Sequence, residues 1–242
     1  MRLTINEEEN KPSIQKIDFI CDGGINPKLD KYDYTKTLFQ KHSFTYIVGR
    51  PQSGKSNLLQ NFFKKRDMLR KCFHNVFYVC PSSSSLKDDI FNKLPEEKRF
   101  ADLTQESLGS ILNVCEASTK EEKNMIVIDD CAASLKDNDL RNMFLRLILN
   151  RRHIGGGVSV IIVSQSYNLL PLQLRKMLNT LILFKPTYEE MNLINEEIFY
   201  QDRKYSKKMM EFFFDQRYNF LTYNLDSGKY YKNFDSVTIE EE

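Results

Sequence analysis

Residues 49 to 56 read Gly-Arg-Pro-Gln-Ser-Gly-Lys-Ser, and no other segment constrains the fold as tightly. An aromatic and β-branched run, Phe44-Thr45-Tyr46-Ile47-Val48, precedes them. An amphipathic stretch follows, with Leu58, Leu59, Phe62 and Phe63 at helical spacing from Lys55 to about Arg70. The glycines let the backbone curl so that successive N–H groups point inward, and the helix start adds the positive end of its dipole. Such a strand–loop–helix unit cradles phosphate. It predicts a P-loop in which residues 49–57 (Gly49, Arg50, Pro51, Gln52, Ser53, Gly54, Lys55, Ser56 and Asn57) surround the phosphates of ATP. Lys55 is expected on the β- and γ-phosphates and Ser56 on Mg²⁺.

The remaining pattern alternates strands and helices. Further strand-like runs are Val76 to Cys80, Met125 to Ile128, Val158 to Val163 and Thr180 to Phe184. Between them, residues 82 to 123 read as a less regular, helical connection whose clearest element has Leu108, Ile111, Leu112 and Cys115 on one face, and a helix from about Asp139 to Asn150 presents Leu140, Met143, Phe144, Leu147 and Ile148. Thr187-Tyr188-Glu189-Glu190 has the form of a capping box. Continuous apolar strands alternating with helices predict an α/β fold, a mostly parallel sheet with helices on both faces. Residues 1 to about 36 read as an N-terminal arm or small β element and 37 to about 200 as the ATPase core. Residues 201 to 242 read as a helix and β-hairpin extending the same domain.

The second half of the expected site is Ile126-Val127-Ile128-Asp129-Asp130. Two adjacent carboxylates at the end of a buried strand repel, and a cation resolves that conflict. Asp129 is the candidate Mg²⁺ ligand, mainly through water, and Asp130 the group that polarises the attacking water. Alone, the pair is also compatible with a plain strand-end turn. Motif order then points to an additional-strand P-loop NTPase, in which a strand ending in a polar sensor lies between the P-loop strand and the acidic strand. The run from Val158 to Val163 enters Ser164-Gln165, so Gln165 is the candidate sensor, although a glutamine there also suits a loop. Arg151-Arg152-His153 has two readings: basic charge complementing a helix C-terminus, or an arginine finger at a neighbouring subunit's γ-phosphate. Arg152 is the first choice for the finger and Arg151 the fallback.

Composition narrows the context. The 242 residues are 41% hydrophobic and 28% charged, an ordinary globular balance. Apolar runs fall far short of the ~20 residues that span a bilayer, and the acidic N-terminus lacks a leader's apolar core. No membrane partner is expected, and the protein is expected to stay in the compartment where it is made. Five scattered cysteines without C-x-x-C spacing and three isolated histidines suggest reduced thiols and no zinc site. The net charge of +2 requires any nucleic-acid surface to be local. Candidate clusters are Lys64-Lys65-Arg66 with Arg70-Lys71, Arg175-Lys176, and Lys204 with Lys207-Lys208, each of a kind that is more often a solvated face than a phosphate contact. Phe212-Phe213-Phe214 reads as core.

Together the motifs resemble the FtsK–HerA superfamily, and within it the poxvirus-type packaging ATPases of large DNA viruses and virophages. The resemblance covers roughly residues 44 to 185. It rests on residues 49–56, on Ile126 to Cys131, and on Asn150-Arg151-Arg152-His153 followed by the strand ending at Gln165. Leu169-Leu170-Pro171 with Leu174-Arg175 adds to it, and Asp130, where many relatives carry glutamate, is similar to the viral branch. The resemblance implies a homo-oligomeric ring that threads double-stranded DNA into a preformed capsid. It also implies a capsid or portal-like partner and a location in the host cytoplasm, at the viral factory, or on the virion. Other readings are a different additional-strand ATPase (a helicase or DNA pump), a nucleotide kinase, and an ATP-binding module without turnover. A GTPase is disfavoured because Asn92-Lys93-Leu94-Pro95 lacks the aspartate of the base-recognition motif.

Overall fold

A computed structural model describes residues 39–65, 68–81 and 89–239; the expected N-terminal arm, the serine run and Cys21 lie outside them. The P-loop strand β1 (Phe44–Val48) occupies the middle of a nine-stranded sheet. Its parallel neighbours are β5 (Val158–Ser164) and β6 (Thr180–Phe184). Beyond β5 lie the acidic strand β4 (Asn124–Asp129), then β2 (Asn75–Val79) and the short β3 (Arg99–Phe100), all parallel. β5 therefore separates the P-loop strand from the acidic strand, as the motif order predicts. On the other side, β7 (Phe220–Asn224), β8 (Lys229–Lys232) and β9 (Asp235–Val237) continue the sheet antiparallel from β6.

Strand alternation sends side chains to two apolar layers. Ile47, Met125, Val127 and Ile161 meet helix α1 (Lys55–Lys64) through Leu58, Leu59, Phe62 and Phe63. Phe44, Tyr46, Val48, Ile126 and Ile128 face the opposite layer. There α2 (Gln105–Ala117) contributes Leu108, Ile111 and Cys115, and α3 (Asn138–Asn150) contributes Leu140, Phe144, Leu147 and Ile148. Two shorter helices follow, α4 (Leu172–Arg175) and α5 (Tyr188–Ile194), the latter opened by a capping box between Thr187 and Glu190. The last helix is α6 (Ser206–Phe213). No helix among the described residues is long and apolar enough to cross a membrane.

Several sequence expectations need correction. Helix α1 ends at Lys64, not near Arg70, because Lys65 is extended and the chain doubles back, the Leu69 amide donating to Phe62 O at 2.7 Å. That return buries Met68, Leu69 and Cys72 on the same apolar layer. Among the described residues of the irregular connection before β4, two 3₁₀ turns and the short β3, which the sequence did not mark, precede α2, which Thr104 caps through Ser107 N. In the phenylalanine run Phe213 and Phe214 are buried, whereas Phe212 is exposed. Arg175 is no surface cation: it is buried, paired with Glu197 at 3.0 Å and donating to Leu170 O at 2.9 Å.

Candidate functional site

The carboxyl ends of β1, β4 and β5 meet at one cleft. Gly49 N donates to Ser164 O at 3.2 Å, which ties the start of the loop to the end of β5. Gln52 and Gly54 then take left-handed backbone, with φ of 62° and 108°. A Cβ at Gly49 would stand 2.6 Å from Phe184 Cβ and 2.7 Å from Ser53 Oγ, so this position has no room for a side chain. Helix α1 starts at Lys55 without a side-chain cap and without an acidic residue in its first turn. Its leading N–H groups and dipole therefore favour an anion.

Lys55 is buried, and its ammonium donates to Gly49 O at 2.5 Å and Arg50 O at 2.9 Å. Burial lowers its pKa, while the carboxylates of Asp130 and Asp129 oppose that shift. Asp129 ends β4 and accepts from Tyr78 Oη at 3.2 Å. Burial first, and the neighbouring Asp130 second, push its carboxyl up to about 6. Asp130 N donates to Val163 O at 3.0 Å, and a φ of 56° turns its side chain out of the strand. Gln165 Nε2 donates to Asp130 Oδ2 at 3.1 Å. Lys55, Ser56, Asn57, Asp129, Asp130 and Gln165 thus line one cleft of about 700 Å³.

Sequence reasoning missed three residues lining it. Asp89 is 4% exposed. Its Oδ1 accepts from Gln60 Nε2 and from Phe91 N at 2.9 Å, whereas Oδ2 is buried without a hydrogen-bond partner. Arg217 and Tyr218 come from the segment before β7, the guanidinium lying 4.8 Å from the Tyr218 ring centroid. Nothing local in the sequence marked them, because the sheet brings them to the P-loop across more than 150 positions.

A divalent cation fits these residues. The Ser56 hydroxyl and the carboxylate of Asp129, whose pKa is raised by burial and then by the adjacent Asp130, are hard oxygen donors lining the same cleft. Mg²⁺ in phosphate sites takes few protein ligands and several waters.

The two arginines separate clearly. Arg151 is buried, donating to His42 O at 2.6 Å, Ile148 O at 2.6 Å and Asn179 Oδ1 at 3.0 Å. That guanidinium ties the end of α3 to the residues just before β1 and β6. Arg152 is exposed. Both sit by the amino end of β5, where Val158 N donates to Arg151 O at 2.8 Å, on the edge of the sheet opposite the P-loop.

Residues 38–172 match the AAA domain family. No curated protein sequence matches the chain. Among solved structures, the DNA-packaging ATPase B204 of Sulfolobus Turreted Icosahedral Virus superposes with a TM-score of 0.60 at 17% identity, over 81% of this chain and 98% of that one. The cytoplasmic domain of the Type VII secretion ATPase EccC of Thermomonospora curvata gives 0.57 at 15% identity, over 82% of this chain and 24% of that one. The pCW3 conjugation coupling protein TcpA gives 0.54 at 11% identity, over 84% of this chain and 63% of that one. These neighbours have the FtsK–HerA type of P-loop ATPase fold, and at such identities the likeness concerns the fold.

Proposed function

Because the chain belongs to the AAA domain family and has a P-loop ATPase fold, we propose that it hydrolyses ATP to drive double-stranded DNA into the capsid of a DNA virus. The observation that carries the reading is the strand order β4–β5–β1, with Gln165, just past the end of the middle strand, bonded to Asp130 at 3.1 Å. A side chain there touches the acidic pair and stands beside the loop, so it can respond to the terminal phosphate.

Each residue then has a stated task. Backbone N–H groups of the loop beyond Pro51 and of the start of α1 bind the phosphates, and Lys55 moves its ammonium from its own loop carbonyls to the β- and γ-phosphates. Ser56 and Asp129 hold Mg²⁺, which neutralises charge on the phosphates when bound. Asp130 orients and polarises the attacking water, held in place by the Gln165 amide. Arg152 reaches the γ-phosphate of an adjacent copy in a ring, since its own site lies at the far edge of the sheet. The viral role is supported by the B204 likeness and by the packaging-ATPase motifs. A capsid or portal-like partner and a place in the host cytoplasm or on the virion go with that role.

The polymer is duplex DNA in this reading. Exposed Lys176, Lys204 and Lys208 offer charge to its phosphates. Phosphate release by the purified full chain, with and without linear duplex DNA, tests it. Stimulation that fades as salt rises is expected, because phosphate contacts weaken steeply with salt. Turnover indifferent to duplex at every salt concentration would reject DNA as the substrate.

A further inference from the structure

A second cleft of about 540 Å³ adjoins the phosphate cleft, and the two share Gly54, Asn57 and Tyr218. Its volume lies in the range of small-molecule sites, about 300–1,000 Å³. Its walls differ in kind from those of the phosphate cleft: Phe184, Phe220 and Phe234 line it with Leu58, and Asn61 and Lys65 stand on the helix side. The rings interlock, Phe184 to Phe220 at 5.4 Å and Phe220 to Phe234 at 5.5 Å between centroids. Tyr218 is 54% exposed and Phe234 42%. Tyr218 is also held at a φ of 72°, a strained backbone for an aromatic residue. Its ring packs beside Gly54, 3.4 Å from where a Cβ would stand, and the φ of 108° at Gly54 is a backbone that favours glycine.

We infer that this cleft is the base subsite, with Tyr218 and Phe234 stacking the purine ring of the nucleoside triphosphate whose phosphates occupy the P-loop. This rests on the phosphate reading above, which fixes the direction of the ligand. With the terminal phosphate at Lys55, Asp130 and Gln165, the other end of the nucleotide leaves across Gly54 and Asn57, and the aromatic cleft opens there. Stacking is the main recognition available. Asn61 Nδ2 donates one hydrogen to Asn57 O at 2.8 Å, which leaves its second N–H and its Oδ1 to meet the base edge. The C-terminal strands are thereby part of the binding site, since β7 carries Phe220 and places Tyr218, and Phe234 sits between β8 and β9.

The experiment compares binding of ATP and of inorganic tripolyphosphate, each with Mg²⁺, to wild-type protein and to Tyr218→Ala, Tyr218→Phe and Phe234→Ala. Removing a base–aromatic stack weakens binding by roughly tenfold or more. The expected pattern is a loss of about that size for ATP in both alanine variants, unchanged affinity for tripolyphosphate, and near wild-type behaviour of Tyr218→Phe. Unchanged ATP affinity in Tyr218→Ala and Phe234→Ala would overturn the assignment. So would equal losses for ATP and tripolyphosphate, because these rings would then only shape the loop. If wild-type protein bound neither compound, the phosphate reading itself would fall and take the base subsite with it. Should Tyr218→Ala not fold, Phe234→Ala and the quenching of ethenoadenosine triphosphate fluorescence by wild-type protein decide the matter. Quenching is expected, and its absence on bound nucleotide would count against stacking.

Discussion

Replacing Lys55 by methionine should separate nucleotide affinity from stability. Lys55 is only 7% exposed, and its ammonium donates to Gly49 O at 2.5 Å and Arg50 O at 2.9 Å. Burial disfavours its charged form, and the two aspartates offset that cost. Methionine keeps the apolar stem and removes a desolvated charge along with two hydrogen bonds. These changes oppose each other, so the net stability change should stay within about 1 kcal/mol. The bound state has no such compensation. A charged hydrogen bond contributes roughly 1.5–3 kcal/mol, so losing one phosphate contact weakens ATP binding by about 10- to 150-fold. Calorimetric titration with a non-hydrolysable ATP analogue and Mg²⁺, beside a thermal melt, measures both quantities. Affinity within about threefold of wild type would refute the assignment of Lys55 to the phosphates. A collapsed melting transition would instead make it a structural lysine of the loop.

Gln165→Ala should bind ATP almost normally yet turn over about tenfold more slowly and lose its response to duplex DNA, because Asp130 loses its tether; an unchanged stimulation ratio would make Gln165 a loop residue only. Arg152→Ala should be nearly inactive alone, but mixing it with Lys55→Ala subunits should restore some turnover, as interfaces form between an intact loop and an intact arginine. Full activity of Arg152→Ala alone, or no recovery in proven mixed rings, would reject the trans role. His42 supplies a stability test. Burial, with Lys41, Arg151 and Arg152 nearby, holds its imidazole down to about 4. The unfolded chain takes up that proton near pH 6.5 and the folded chain only near 4, so stability should fall as pH drops through this window and the contribution should level off below it. Denaturant midpoints should show that slope in wild type and a shallower one in His42→Gln; parallel curves would dismiss the effect.

The parts of the fold that were legible in the sequence are those governed by local chemistry. The run from Phe44 to Ser56 combines strand, turn glycines and helix start in consecutive residues, and the acidic pair ends an unmistakable strand. The position of β5 between β1 and β4 followed from motif order. The helix after the P-loop was overdrawn because Met68 and Leu69 continue its apolar pattern while belonging to the returning chain. Arg175 looked like surface charge because its partner, Glu197, lies on a later helix segment. Tyr218 carries no motif at all, and only the antiparallel pairing of β7 with β6 brings it over Gly54. Asp89 is visible only through its bond to Gln60, across 29 positions.

The central claim is that water attacks a nucleotide bound between the P-loop and the acidic pair. Phosphate release by Asp130→Asn protein at saturating Mg²⁺ and ATP, with ATP binding measured on the same preparation, tests it most directly. Asparagine keeps the shape of the side chain and its reach to Gln165 while removing the charge that polarises water. ATP affinity should stay near wild type, and turnover should fall by about 100-fold or more. Wild-type turnover by Asp130→Asn would contradict the account, whatever the affinity.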